Sequence, residues 1–320
     1  MNTTLVTGAT GFIGSRICHV LANAGHQVIA VGRTRRTLRA LMNQLTRLNP
    51  STQHYSVCHD IRAKHAPPDL PSTSKIQTVV HCASPVPTKT QTNLDEKSFD
   101  EEVRLIGHGL ESLLTQIKTA DHLVLMSSVA VYGSLAGITP PPSESTPLTK
   151  ACTGYGASKR DTEIFCARIA EQHEIPLTIL RPNQVFGPNE PHGLGVSMMI
   201  QNACDGKKIV LHNAGEDIRD LLYIDDLASV VYRILEQKLL GTFNVGNGRG
   251  YQMRTIAETI RSVCPRRVEI EVGARVHMPS NTTVSNARLL KRLKGFTFTE
   301  LRNSVAECCN ASLPSQSDAA

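Results

Sequence analysis

The sequence predicts an α/β protein in which a doubly wound parallel sheet is followed by a smaller second domain. Two observations lead there. Through the first half, short apolar runs alternate with amphipathic helical patterns, as in parallel strands joined by covering helices. A glycine-spaced segment, TGATGFIG, stands between the first apolar run and the first helical pattern. After Leu180 the alternation loosens into loops rich in Pro and Gly. Residues 1–180 are therefore expected to form the sheet domain and 181–312 the smaller one, with some segments returning to the first. Residues 313–320, small and polar, are expected to be a disordered tail.

Leu5 and Val6 mark the first strand, and Ile13, Ile17, Val20 and Leu21 share one face of the helix that follows. Gly25 ends that helix, and a second strand runs from about Gln27 to Val31. A basic helix is expected from about Thr34 to Leu48. Further strands are read at Tyr55 to Cys58, Thr78 to His81, Leu123 to Ser127 and Leu177 to Leu180. A helix from about Phe99 to Ile117 lies between the middle two. The Pro-, Ser- and Thr-rich stretch from Thr139 to Pro147 must be a loop, and another helix begins near Tyr155.

Composition excludes several function classes. The chain has no Trp and few aromatics, which argues against stacking platforms for nucleic acid. The formal charge of +6 is spread over 320 residues without a polybasic tract, so no nucleic-acid partner is expected. No apolar run is long enough to cross a bilayer, and the N-terminus lacks the basic leader of a signal peptide. Nine Cys, an odd number with no CxxC pair, suit reduced thiols in a cytoplasmic protein. Cys308 and Cys309 read as residues of a C-terminal helix rather than a redox site. The His residues show no metal-ligand spacing, and no metal is expected.

Gly8, Gly11 and Gly14 form a GxxGxxG turn between strand and helix, the context a Rossmann-type dinucleotide fold requires. Glycine permits the tight turn and close approach of backbone to a pyrophosphate. The helix start, at Phe12 and Ile13, offers unpaired N–H groups and a positive dipole end to phosphate. No Gly-Lys-Ser/Thr follows, which excludes a Walker-type loop. At the end of the second strand, where an NAD enzyme usually carries Asp or Glu, the chain has Gly32 and then Arg33, with Arg35 and Arg36 behind. A carboxylate would repel the 2′-phosphate of NADP, whereas a guanidinium pairs with it. NADP(H) is favoured on this ground, with NAD(H) left open.

Tyr155 and Lys159, four apart in YGASK, share one face of a helix. Phenols titrate near ~10, and a neighbouring ammonium favours the phenolate, the form that can shuttle a proton while hydride moves. Ser128, just past the strand from Leu123 to Ser127, is placed to hydrogen-bond the reacting oxygen, with Ser127 as its structural neighbour.

With these motifs the sequence resembles the extended short-chain dehydrogenase/reductase family, in its nucleotide-sugar epimerase and reductase branch, from about residue 3 to 305. The resemblance implies roles for several further positions. HDIR implies adenine contact by Asp60 and Ile61, and VVHCAS places Ala83 and Ser84 beneath the cofactor. LRPNQVFGP puts Pro182 near the nicotinamide and Gln184 near the substrate phosphates. IRDLLYIDDLA gives Arg219 the substrate diphosphate. The same resemblance implies a homodimer built from the helices containing Leu113 and Tyr155. Glu163 falls where the family has an acid for helix structure.

Three departures stand out. Val129 and Ala130 replace the acidic pair of sugar 4,6-dehydratases, so water elimination is not expected. Gln184 replaces an asparagine, and so does Ile106. The expected function is hydride transfer at a carbinol or ketone carbon, C4, of a nucleotide-activated sugar. Two alternatives stay open: an NADPH-dependent reductase of a non-nucleotide small carbonyl compound, and a non-catalytic NADP-sensing binding protein.

Overall fold

The computed structural model describes residues 2–63, 65–71, 76–84, 96–117, 120–133, 135, 139–148, 154–190 and 195–313. In chain order its elements begin with β1 (Thr3–Thr7), α1 (Phe12–Asn23), β2 (Gln27–Gly32), α2 (Arg35–Leu48), β3 (Tyr55–Cys58) and β4 (Thr78–His81). Next come α3 (Glu96–Ile117), β5 (His122–Met126), a 3-10 turn (Val129–Tyr132), α4 (Gly154–Gln172) and β6 (Leu177–Pro182). There follow β7 (Gln184–Phe186), α5 (Gly195–Cys204), β8 (Ile209–Leu211), β9 (Ile218–Arg219), β10 (Leu221–Tyr223), α6 (Ile224–Gln237) and β11 (Gly241–Val245). The last are β12 (Tyr251–Gln252), α7 (Met253–Val263), β13 (Ile270–Val272), α8 (Ala287–Arg292) and α9 (Leu301–Ser312).

These elements fall into two compact units, neither continuous in sequence. The first takes Met1–Gly133, Pro147–Arg181 and Ala228–Phe243; the second takes Ser134–Thr146, Pro182–Leu227 and Asn244–Ala320. The expected tail beyond residue 313 lies outside the described residues.

The sheet has seven strands in the order β11-β6-β5-β4-β1-β2-β3. Its registered pairs are parallel, with Leu5 opposite Ile29 on one side and Val79 on the other. From β1 the chain winds outward through β2 and β3, then returns to start β4 on the opposite side of β1. The reversal point between β1 and β4 is where a crevice opens at the carboxyl ends of such strands. β1 and β5 are buried along their whole length, which explains their apolar and β-branched runs. α1 buries Ile17, Cys18 and Leu21, with Ile13 and Val20 on its half-buried flank. α2 buries Leu38, Leu41 and Leu45 and turns its arginines outward.

The core of this unit joins Leu5, Ile29, Val79 and Leu123 from the strands to Leu110, Leu113 and Leu114 of α3 and Ile169 of α4. Ile106, where the family has an asparagine, is one of its members, only 6% exposed. Of the four buried histidines among the described residues, two at the strands hold short bonds to threonines. His81 Nδ1 lies 2.8 Å from Thr7 Oγ1, and His122 Nε2 lies 2.8 Å from Thr178 Oγ1. Thr178 donates to the Leu239 carbonyl, so its oxygen accepts from His122, which fixes the proton on Nε2.

In the second unit, α5, α7 and α9 pack on one another. Three two-stranded pieces, β7 with β10, β9 with β12 and β8 with β13, also belong to it, as does α8.

Candidate active site

The chain leaves β1 at Thr7 and turns at Gly8 with φ +65°, a conformation that favours glycine. A Cβ on Gly8 would lie 2.8 Å from the Ala83 nitrogen, so the turn crosses directly over the end of β4. A Cβ on Gly14 would overlap the Gly8 carbonyl oxygen. Gly11 caps α1 without a side chain, and the first turn of the helix carries no acid. Its N–H groups have no intrahelical partner. The result is a backbone cradle at the positive end of a helix, which fits a pyrophosphate.

At the end of β2, Gly32 is buried against Thr10. A Cβ there would meet Thr10 Cγ2 and Oγ1 at 3.1 Å and Leu38 Cδ2 at 3.3 Å. This crowding gives a physical reason for the missing acid. Arg33, one residue on, is exposed, as are Arg35 and Arg36. Asp60 follows β3, and its carboxyl is held down at about 2, chiefly by hydrogen bonds from Arg62, with Arg33 adding its charge. Nη2 of Arg62 lies 2.6 Å from Asp60. Ile61 is buried in the core beneath. Ala83 and Ser84, half-buried, follow β4, where Thr7 Oγ1 accepts from the Ala83 N–H at 3.4 Å.

Ser128 lies two residues past β5, in extended backbone, and caps the 3-10 turn by accepting from Ala130 N–H at 3.2 Å. The Oγ proton of Ser128 is not committed by that bond. Behind it lies a buried ionic network. Ser127 Oγ donates to Glu163 of α4, which also receives both Nε and Nη2 of Arg181, at 2.9 and 2.7 Å. Arg181 Nη1 donates to the Tyr132 hydroxyl at 2.8 Å and its guanidinium stacks on that ring. The network ties α4 and β6 to the turn that begins at Ser128. Ser127 thus has the structural place expected of it, and Glu163 anchors more than its own helix.

Tyr155 opens α4, half-buried, and Lys159 one turn later is only 4% exposed. The ammonium of Lys159 donates to the Met126 carbonyl at 2.9 Å and lies 5.8 Å from the centre of the Tyr155 ring. A buried cation fixed at the end of β5 therefore faces the phenol from the same helix. It also reaches His81, which burial and that charge together push down to about 3.

The other predicted residues belong to the second unit. Pro182, at the end of β6, is buried, and Gln184 in β7 is exposed. Arg219 pairs across β9 and β12 with Tyr251. Its Nη1 donates to the Ile218 carbonyl and to Ser280 Oγ, each at 2.9 Å, while Nη2 reaches Asp217 only at 3.9 Å. The adjacent Asp220, fully buried, accepts instead from the backbone N–H groups of Asn247, at 2.9 Å, and Gly248, at 3.2 Å. Burial pushes its carboxyl up to about 6.

Two residues that the sequence reading passed over thus organise their surroundings: Arg181 in the first unit and Asp220 in the second. Their signal was a charge embedded in an apolar run, in TILRP and in RDLLY.

A family model described as the NAD dependent epimerase/dehydratase family matches residues 4–246. Among curated relatives, a dTDP-4-dehydro-6-deoxy-D-allose reductase of Streptomyces bikiniensis is 28% identical over 295 residues, covering 87% of this chain and 86% of its own. A dTDP-glucose 4,6-dehydratase of Neisseria gonorrhoeae is 24% identical, covering 81% of this chain and 76% of its own. Among solved structures, a UDP-glucose-4-epimerase of Stenotrophomonas maltophila, with bound NAD and formylated UDP-arabinopyranose, matches with TM-score 0.82 at 22% identity and covers 98% of each chain. That last likeness is one of fold.

Proposed function

Because the chain belongs to the NAD dependent epimerase/dehydratase family, we propose that it is a nicotinamide-dependent oxidoreductase or epimerase acting at C4 of a nucleotide-activated sugar. The observation that carries this reading is the Lys159 ammonium, buried, bonded to the Met126 carbonyl and set beside Tyr155 on one helix. A bound nicotinamide supplies the acceptor or donor of hydride. Tyr155 takes the proton from the C4 hydroxyl, or returns it to the C4 carbonyl. Lys159 sets a buried positive charge beside the phenol through which the proton passes. Ser128 donates its free Oγ proton to the same sugar oxygen, while Ala130 N–H holds that Oγ in place. Such positioned donors act by being aligned before charge develops.

Gly8, Gly11, Phe12, Ile13 and Gly14 take the pyrophosphate of the cofactor. Asp60 and Ile61 line the adenine, Ala83 and Ser84 lie below, and Pro182 meets the nicotinamide. NADP is preferred over NAD, supported by the exposed Arg33 and by the tight contacts any side chain at Gly32 would make with Thr10 and Leu38. A cytoplasmic location suits the eight thiols that are free among the described residues. A homodimer through α3 and α4 is supported by Ile164, which α4 leaves 63% exposed.

Arg219, with Gln184, takes the substrate diphosphate. The hydrogen bonds of the Arg219 guanidinium go to neutral groups, Asp217 stands off at 3.9 Å, and Asp220 is engaged by backbone, which supports a role beyond a structural ion pair. A planar fork of this kind holds two phosphate oxygens at once. Arg219→Ala should weaken binding of uridine, thymidine or guanosine diphosphate to the cofactor-loaded protein by roughly tenfold to a hundredfold. Cofactor affinity should barely change. Calorimetric titration measures both. Wild-type protein that binds no nucleoside diphosphate at millimolar concentration would favour the small-carbonyl reductase instead.

A further inference from the structure

Three cysteines distant in sequence meet in the second unit: Cys204 at the end of α5, Cys264 just past α7 and Cys309 in α9. Their sulfur atoms all lie within 4.8 Å of one another, at the junction of three helices that pack together. Cys309 is fully buried, Cys204 is 3% exposed, and Cys264, at 9%, forms the open edge. The Cys204 thiol also leans on the Cys309 carbonyl at 3.7 Å. The catalytic reading uses none of them.

We infer that Cys204, Cys264 and Cys309 form a site for one soft, trivalent, thiophilic element, with arsenic(III) as its type. A donor set made only of sulfur selects soft ions and excludes hard cations, which need oxygen. Among the described residues no fourth His, Cys, Asp or Glu joins the trio, whereas a structural zinc takes four ligands. Charge decides between the remaining candidates. Three thiolates around Cu(I) would bury a net charge of −2, and around Zn(II) a net charge of −1. Around arsenic(III) they bury none, and an uncompensated buried charge is costly.

The exchange balances without electrons. Arsenous acid, As(OH)₃, meets three neutral thiols; three As–O and three S–H bonds break, three As–S bonds form, and three waters leave. Burial, which pushes the Cys309 thiol up to about 12, opposes any route through free thiolates. It does not oppose an exchange that begins and ends neutral.

The test uses the full chain, reduced with a phosphine rather than a dithiol, and sodium arsenite as the probe. Native mass spectrometry should show one arsenic gained and three hydrogens lost per chain, and X-ray absorption should show three sulfur neighbours. The melting temperature should rise, because the folded trio binds the ligand more tightly than the unfolded chain does. Cys264→Ser, the least buried member, should lower uptake at least tenfold, whereas Cys58→Ser, an exposed thiol elsewhere, should leave it intact. Cys204→Ala gives a second variant should Cys264→Ser fold poorly. The inference is overturned by wild-type protein that takes up no arsenic, or by uptake unchanged in Cys264→Ser. Uptake lost in Cys308→Ser but kept in Cys264→Ser overturns it too, since the adjacent pair would then be the ligand.

Discussion

At the scale of single residues, the proposed chemistry rests on Tyr155. Tyr155→Phe removes one oxygen and keeps the ring, so turnover should fall by ~10²–10⁴, the usual worth of a general acid–base group. Cofactor affinity should be nearly unchanged. Steady-state rates on an accepted nucleotide sugar, with cofactor titration alongside, provide the measurement; turnover within a few-fold of wild type would move the proton to another group. In the proposed reading Arg33 carries a preference for NADP. NADPH should bind more tightly than NADH, and Arg33→Ala should erase most of the gap, whereas equal affinities in the wild type would sink the idea. The positions of these residues were legible because their spacing is local: Tyr155 and Lys159 share a helix face, and Arg33 directly follows Gly32, the last residue of β2. Arg181 and Asp220 were not, because their partners lie elsewhere in the sequence, at Glu163 and Tyr132 and at Asn247 and Gly248.

At the scale of elements, the ionic network fixes the turn after β5. Removing one member of a buried pair strands the other charge, at a cost of about 3–5 kcal/mol. Arg181→Met should therefore lower unfolding stability by about that much in chemical denaturation. A loss below about 1 kcal/mol would mean that water relieves Glu163. The sheet also responds to acid. Burial pushes His122 down to about 4, with the nearby Lys238 adding to the shift. A histidine lowered by folding binds fewer protons folded than unfolded, so its stability is present above the unfolded value of ~6.5 and is lost as pH falls through the folded value. Between pH 6 and 4.5 the stability difference between wild type and His122→Gln should shift by roughly 1 kcal/mol per pH unit, against the wild type at the acid end. A difference that does not vary with pH would contradict this. Strand positions were read closely, since apolar runs mark them directly. Ends were less so: β5 stops at Met126 rather than Ser127, whose side chain instead joins the network, and β6 continues to Pro182.

At the scale of the whole molecule, the proposed homodimer would use the outward face of α4. Ile164→Glu should convert a dimer to monomer in sedimentation velocity, and sedimentation identical to wild type would move the interface elsewhere. The division of the chain was harder to read than its strands. Apolar periodicity reports which residues are buried, not which unit buries them, so nothing in residues 228–243 announces a return to the sheet. That return has a consequence for synthesis. β6 is complete at Pro182, yet its outer neighbour β11 begins only at Gly241. A ribosome adding ~5–20 residues per second needs roughly 3–12 s to cover that interval. Throughout it the nascent sheet carries an unpaired strand edge, the kind that recruits other chains. Slow translation between β6 and β11 would lengthen that exposure, so rare codons there should raise the insoluble fraction more than the same codons placed after Val245.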